Sequence, residues 1–214
     1  MPGGSLLTLI KLSSIFGCLI YARLVFPKDY PLHLALLLTL IADLLIVANL
    51  SLATPLILIG DCGLMELGIV FFFGVQTVHC YRLTSGKLIK PLIIYAVVAL
   101  GLALVNLWLR FCPTIIILCG FYAVLLIANI VISACWVSQE PHNLVAKFAL
   151  FGFILFISCD ICTAVSYLGT NGVFTSNVIT PANFLAWFFY YPAQIFLSNS
   201  SKCVKIESKQ EIVL

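Results

Sequence analysis

Two aspartates stand where the surrounding sequence is almost wholly apolar, Asp43 within the run Pro31 to Ser51 and Asp160 within the run Val145 to Leu168. Placing an ionisable group in hydrocarbon costs a few kcal/mol, so each needs a reason to be there. Asp43 follows Pro31 by twelve residues and Asp160 follows Lys147 by thirteen, which places both roughly 18 to 20 Å from one end of a helix. Two carboxylates at one depth and on adjacent helices cannot both ionise freely in low dielectric, so a proton is shared or held at neutral pH. That is an arrangement for general acid and base work. The alternative is structural, with each Asp hydrogen-bonded to a neighbouring helix or a buried water.

Other polar side chains gather between these carboxylates and the same membrane face. Gln76 precedes Arg82 by six residues and Gln194 precedes Lys202 by eight, about 9 and 12 Å of helix. His79 is nearer the surface, while Trp187 and Tyr190 return to the depth of the aspartates. These depths predict a polar funnel that opens at one leaflet and ends at the carboxylate pair. Tyr30, His33 and His142 fall at span ends, where aromatic and imidazole groups serve as ordinary interface residues.

Composition identifies the elements that must carry these groups. Of the 214 residues 63% are hydrophobic and 9% charged, against roughly 25% charged in soluble proteins. A soluble core could not hide that much apolar surface. Runs of about 20 apolar residues recur, each long enough to cross a hydrocarbon layer of ~30 Å as a helix. They lie at about Ser5 to Phe26, Pro31 to Ser51, Leu64 to Leu83, Leu88 to Leu109, Pro113 to Trp136, Val145 to Leu168 and Pro181 to Ser198. The expected fold is all-α: a polytopic bundle of seven transmembrane spans in one domain, residues 1–198, followed by a mobile polar tail, 199–214. Proline begins three of the runs, where its missing N–H costs least, and Pro192 lies inside the last, where it predicts a kink.

The first run differs from a signal peptide in lacking a basic leading segment and a small-x-small cleavage site, and in carrying Lys11 within its apolar stretch. Ile15-Phe16-Gly17-Cys18 bears a faint likeness to a lipoprotein cleavage box, but Phe16 is bulky and the apolar run continues past Cys18. It is read as a span. Cytoplasmic loops collect Lys and Arg. Arg23, Lys28, Arg82, Lys87, Lys90, Lys147, Lys202, Lys205 and Lys209 all fall to one side, and only Lys11 and Arg110 to the other. The amino terminus is therefore expected outside and the carboxy terminus in the cytosol.

The net charge of +3 reports this topology. The bases are scattered over several loops without a stripe of interleaved aromatics, so nucleic acid is not an expected partner. Most of the nine cysteines fall within spans, and no outer loop carries a disulfide framework. Cys159-x-x-Cys162 has the spacing of a metal or redox pair but lacks a second pair or a nearby His. Asp43 to Gln76 is 33 residues and Asp160 to Gln194 is 34, with Phe71-Phe72-Phe73 and Phe188-Phe189-Tyr190 shortly before each Gln. Spans two and three then match six and seven as a parallel internal repeat, a kind of duplication that can set a site at the repeat interface.

Leu155-Phe156-Ile157-Ser158-Cys159-Asp160, followed by Trp187-Phe188-Phe189-Tyr190-Tyr191-Pro192-Ala193-Gln194, resembles the closing signature of the lysoplasmalogenase family, also called the YhhN family. There a Leu-Phe-x-x-Ser/Cys-Asp helix precedes a last helix with an aromatic-Tyr-x-x-x-Gln pattern. Ile41-Ala42-Asp43-Leu44-Leu45 looks like the family's other Asp-bearing helix, and Gly68 to Arg82, with Gln76, is similar to the helix that follows it. Many family members have eight spans where seven are counted here, and Gln76 stands at a position that is often His. The resemblance implies a membrane hydrolase that cleaves the vinyl ether bond of lysoplasmalogens to a fatty aldehyde and a glycerophospho-alcohol.

Vinyl ether hydrolysis begins with protonation of the alkene carbon by an acid still protonated near pH 7. The oxocarbenium ion that forms needs an anion beside it and a base for the attacking water. Asp43 and Asp160 are the expected catalytic pair, in either assignment. Gln76, His79, Trp187, Tyr190 and Gln194 are the expected substrate-binding residues, and loop bases would hold the phosphate. This chemistry calls for no metal and no cofactor, and its partner is a membrane lysophospholipid with a vinyl ether chain. The expected location is a bacterial plasma membrane, as a multi-pass protein, and homo-oligomers are compatible with the sequence.

Other readings stay open. A metal-dependent amidase of ceramidase type would need several His and Asp ligands converging at one end of the bundle. A proton-coupled transporter or lipid-binding bundle would use the aspartates without breaking a bond. A family member that keeps only the fold is a further alternative.

Overall fold

The computed structural model describes residues 3–51, 57–59, 62–109, 114–170 and 175–201. Seven α-helices run through these residues: α1 (Gly3–Val25), α2 (Tyr30–Ser51), α3 (Leu64–Leu83), α4 (Ile89–Leu109), α5 (Thr114–Gln139), α6 (Leu144–Thr170) and α7 (Ser176–Ser198). A short antiparallel strand pair, β1 (Ile57–Ile59) and β2 (Cys62–Gly63), precedes α3, with Ile57 opposite Gly63 and Ile59 opposite Cys62. It lies between the second and third apolar runs. Five helices, α2 to α6, are long and apolar enough to cross a membrane, whereas α1 contributes a shorter apolar stretch, Leu12–Val25. In lipid a helix satisfies its backbone groups internally, which is why uniform apolar runs rich in β-branched residues fold this way.

The main difference from the expected boundaries is at α7, which starts at Ser176, so that Pro181 lies inside it together with Pro192. Thr175 is the extended residue before the helix, and its carbonyl accepts the N–H groups of Val178 and Ile179. The helix is thus nucleated upstream of Pro181, which removes one later bond without preventing the start. At the other end, Asn199 N–H donates to the Ile195 carbonyl and Ser200 N–H to the Leu197 carbonyl, and both Ser200 and Ser201 are buried. The first residues of the expected tail therefore close the helix. Positions 202–214 lie outside the described residues, as do Arg110 and Pro113.

The chain divides into two compact units, Met1–Ile132 and Ser133–Leu214. In the first, α1 meets α2 through Cys18, Ala22, Phe26, Leu32 and Leu36. The α2–α3 hairpin is close: a methyl group at Gly68 would come within 2.7 Å of Ile46 Cγ1 and 3.2 Å of the Ala42 carbonyl oxygen. Glycine there lets the two backbones approach, as small residues do between membrane helices. Arg82, at the end of α3, lies 3.9 Å from the Asp29 carboxylate, and both are buried. Ile69, Ala103, Ile115 and Leu118 bring α3, α4 and α5 together. Phe73 stacks on Tyr95 at 6.0 Å between centroids, and Tyr95 Oη donates to the Phe121 carbonyl at 2.9 Å. The α3–α4 turn needs left-handed backbone at Ser85 (φ 53°) and Gly86 (φ 78°).

In the second unit α6 and α7 form another close hairpin. A methyl at Gly152 would meet Leu197 Cγ at 2.7 Å and the Leu197 backbone nitrogen at 3.2 Å. Phe148 and Phe151 flank Phe196, at 5.6 and 6.2 Å, and Phe156 faces Tyr190 at 6.1 Å.

The two hairpins share a pattern. In the α1–α2 turn the N–H groups of Phe26, Asp29 and His33 donate to the carbonyls of Ala22, Phe26 and Asp29. In the α5–α6 turn those of Glu140, Asn143 and Lys147 donate to Trp136, Glu140 and Asn143 in the same order. Pro27 and Pro141 occupy the same place in the two turns, and Asp29 and Asn143 cap the helices that follow. Asp29 Oδ1 accepts from Leu32 N–H at 3.1 Å, and Asn143 Oδ1 from Val145 N–H at 3.0 Å. Further along, each of the six buried positions of α3 from Val75 to Leu83 is matched, at the Gln76-to-Gln194 offset, by a buried position between Ala193 and Ser201, on α7 or just past its end. At the Asp43-to-Asp160 offset, the buried positions Leu32, Ala35, Leu36, Thr39 and Ala42 fall on Ala149, Gly152, Phe153, Phe156 and Cys159, all buried.

Candidate functional site

In the first unit Asp43 lies on α2 and is fully buried, facing inward with Ala42 and Thr39. Gln76 and His79 share a face of α3, three residues apart, and are 0% and 2% exposed. The Gly68 contact sets the register of the hairpin and places the two groups at different levels. Asp43 lies at the level of Gly68, while Gln76 is two turns nearer the Arg82 end. The separation along the axis expected from the sequence is therefore kept within this hairpin.

A residue outside the expected set completes this half. Asn129, on α5, is fully buried, and its Nδ2 donates to Gln76 Oε1 at 2.9 Å and to the Gln76 backbone carbonyl at 3.0 Å. Two atoms of the amide pair, Gln76 Nε2 and Asn129 Oδ1, make no hydrogen bond among the described residues. One is a donor and the other an acceptor. The available signal was an asparagine in the middle of an apolar span, less conspicuous than an aspartate because it carries no charge.

In the second unit Asp160 lies on α6 and is half-buried, less enclosed than Asp43. Tyr190 and Gln194, four residues apart on α7, share its inner face and are 4% and 1% exposed. Tyr190 packs on Phe156, one turn before Asp160, and Trp187 packs on Tyr191 at 6.4 Å. Gln194 Nε2, like its counterpart at Gln76, makes no hydrogen bond among the described residues.

The matched depth of the aspartates needs one amendment. Counted from the capping residues, Asp43 comes fourteen residues after Asp29 and Asp160 seventeen after Asn143, a difference of about 4.5 Å. The cause is an extra turn at the start of α6. Within the buried register of the two hairpins the aspartates still correspond.

Of the bases assigned to the cytosolic side, Arg82 is buried against Asp29, whereas Arg23, Lys87 and Lys90 are exposed. Arg23 Nη1 donates to His33 Nδ1 at 3.3 Å and His33 Nε2 donates to the Ala22 carbonyl at 3.1 Å, a consistent pattern for one neutral tautomer. These two residues border an open apolar groove of about 360 Å³ between α1 and α2, formed with Leu19, Leu24, Leu34 and Leu37. Cys159 and Cys162 are not joined in a disulfide. Among the described residues, no three His, Cys, Asp or Glu side chains gather as a metal-ligand group.

The apolar helices mark a multi-pass membrane protein of the helical class. No family model matches the chain, and neither a curated protein nor a solved structure does so.

Proposed function

We propose that this protein is a membrane-embedded hydrolase of lysoplasmalogenase type, with seven spans, an outside amino terminus and a cytosolic carboxy terminus. The observation that carries the reading is the equivalence of Asp43 and Asp160: each sits at the same register position of a hairpin whose second helix presents a buried glutamine. The pairing of Tyr190 with Gln194 on one buried face also fits the aromatic-Tyr-x-x-x-Gln pattern that the last helix resembles.

In this reading one aspartic acid donates its proton to the alkene carbon of the vinyl ether, leaving an oxocarbenium ion. The other carboxylate stabilises that cation and takes a proton from water as the water adds. The resulting hemiacetal loses its glycerol oxygen as an alcohol, giving the aldehyde. Gln76, His79, Trp187, Tyr190 and Gln194 position the water and the glycerol moiety, and exposed bases such as Arg23 and Lys87 hold the phosphate. The substrate is a lysophospholipid drawn from the bilayer.

A second reading is favoured by the repeat itself. Parallel repeats recur in transporters whose site lies near mid-membrane. A proton-coupled transporter would use the aspartates to carry protons. Purified protein given a vinyl ether lysolipid and its saturated ether counterpart separates the two readings. The hydrolase releases aldehyde from the first alone, whereas a transporter moves either lipid and releases none.

A further inference from the structure

We propose that Gln76 and Asn129 form a subsite for a hydroxyl group, which the hydrolase reading identifies as the free glycerol hydroxyl next to the ether-bearing carbon of a lysolipid. Asn129 spends both Nδ2 hydrogens on Gln76, at 2.9 and 3.0 Å, and this fixes the two amides relative to one another. What remains is an acceptor, Asn129 Oδ1, and a donor, Gln76 Nε2, both on fully buried residues and both without a hydrogen bond among the described residues. A hydroxyl donates to Asn129 Oδ1 and accepts from Gln76 Nε2, a combination that a carbonyl, an ether or an ammonium cannot offer.

Burial makes the arrangement selective. Polar atoms held in a low-dielectric site cost little when matched and much when left unmatched, so a ligand that lacks the hydroxyl is rejected more strongly than one bearing it is attracted. A lysolipid has this hydroxyl, and a diacyl-type lipid has an ester in its place. The subsite therefore explains how a bundle with an apolar interior could choose the single-chain lipid from a membrane made mostly of two-chain lipids.

An ordered water has the same donor and acceptor pattern as an alcohol, and the test distinguishes them. Binding of a saturated ether lysolipid, which has no vinyl ether to cleave, is compared with binding of its 2-deoxy analogue in nanodiscs by tryptophan fluorescence. Wild-type protein should favour the hydroxyl-bearing lipid about tenfold or more. Asn129→Leu and Gln76→Leu should each bring that preference to within about twofold, while binding of the deoxy lipid changes little. A merely structural role for the pair would weaken both lipids alike. Equal binding of the two lipids by wild type, as when water alone bridges the amides, would overturn the proposal, as would a preference that survives both substitutions. Should both variants fail to fold, a lysolipid carrying a diazirine beside the hydroxyl should label wild-type α3 near Gln76 or α5 near Asn129, and labelling confined elsewhere would count against the subsite. Preference without aldehyde release would remove the hydrolase reading and keep the subsite, and release without preference would do the reverse.

Discussion

Asn129 grips Gln76 through a single amide nitrogen that donates to both the side-chain oxygen and the backbone carbonyl, at 2.9 and 3.0 Å, linking α5 to α3 deep in the first unit. Such bonds between membrane helices average about 0.6 kcal/mol and reach about 1.7 kcal/mol in double-mutant cycles. Doubly donated and fully buried, this one should fall in the upper half of that range. Thermal unfolding of Asn129→Leu, Gln76→Leu and the double variant should give a coupling of about 1 kcal/mol, with the double variant more stable than the sum of single losses predicts. Strict additivity would mean that the pair contributes no interaction of its own.

Gly152 gives a second prediction, about packing. A methyl there would lie 2.7 Å from Leu197 Cγ and 3.2 Å from the Leu197 nitrogen, too close for the hairpin to stay as it is. Overpacking of this kind costs roughly 1 to 3 kcal/mol, while alanine in place of glycine returns about 1 kcal/mol of helix propensity. Gly152→Ala should therefore lower the melting temperature. In a Leu197→Ala background the clash with the side chain is gone and only the 3.2 Å approach to the backbone nitrogen remains, so the same substitution should cost clearly less. A loss of equal size in both backgrounds would contradict the contact.

The buried ion pair of Arg82 and Asp29, 3.9 Å apart, predicts a non-additive response of another kind. Removing one partner leaves a charge in a poor solvent and costs about 3 kcal/mol, whereas neutralising both is close to neutral. Asp29→Asn retains an acceptor for the Leu32 N–H and so keeps the cap on α2. Arg82→Gln should be strongly destabilising, and Asp29→Asn with Arg82→Gln should recover most of the loss in a thermal-unfolding assay.

Most of the helical scaffold was legible in the sequence, because in lipid an apolar run of span length has little choice but to be helical. The limits of α3, Leu64 to Leu83, coincide with the expected ones, and α2 differs from its run by a single residue. The start of α7 is hidden by Pro181, which reads as an initiator, although the helix begins after the extended Thr175, whose carbonyl accepts its first bonds, and continues through the proline. Asn129 escaped notice because ranking residues by the cost of inserting charge passes over a neutral amide, even one whose unmatched atoms are as telling. Arg82 was counted as a loop charge; its partner Asp29 lies more than fifty positions away, and spacing along the chain does not reveal contacts between helices.

Orientation gives a further prediction. In the proposed orientation, with an outside amino terminus and seven crossings, Lys87, in the α3–α4 turn, should face the cytosol and Asn177, at the start of α7, should face outward; both are exposed. Single cysteines introduced at each position of a cysteine-free variant should react with a membrane-impermeant maleimide from opposite sides of sealed vesicles. Labelling of both from one side would mean that an even number of crossings separates Lys87 from Asn177, so that α4, α5 and α6 do not all span.

The hydrolase reading is tested by aldehyde release from a vinyl ether lysolipid by purified protein, wild type against Asp160→Asn and Asp43→Asn, with a saturated lysophospholipid as control. Each variant keeps the shape of its side chain and should melt within a few degrees of wild type. Wild type should release aldehyde from the vinyl ether substrate alone, and each variant should lose at least a hundredfold in rate, since general acid–base groups contribute about 10² to 10⁴. Release that persists in either folded variant would remove that aspartate from the mechanism, and no release by wild type would contradict the hydrolase itself.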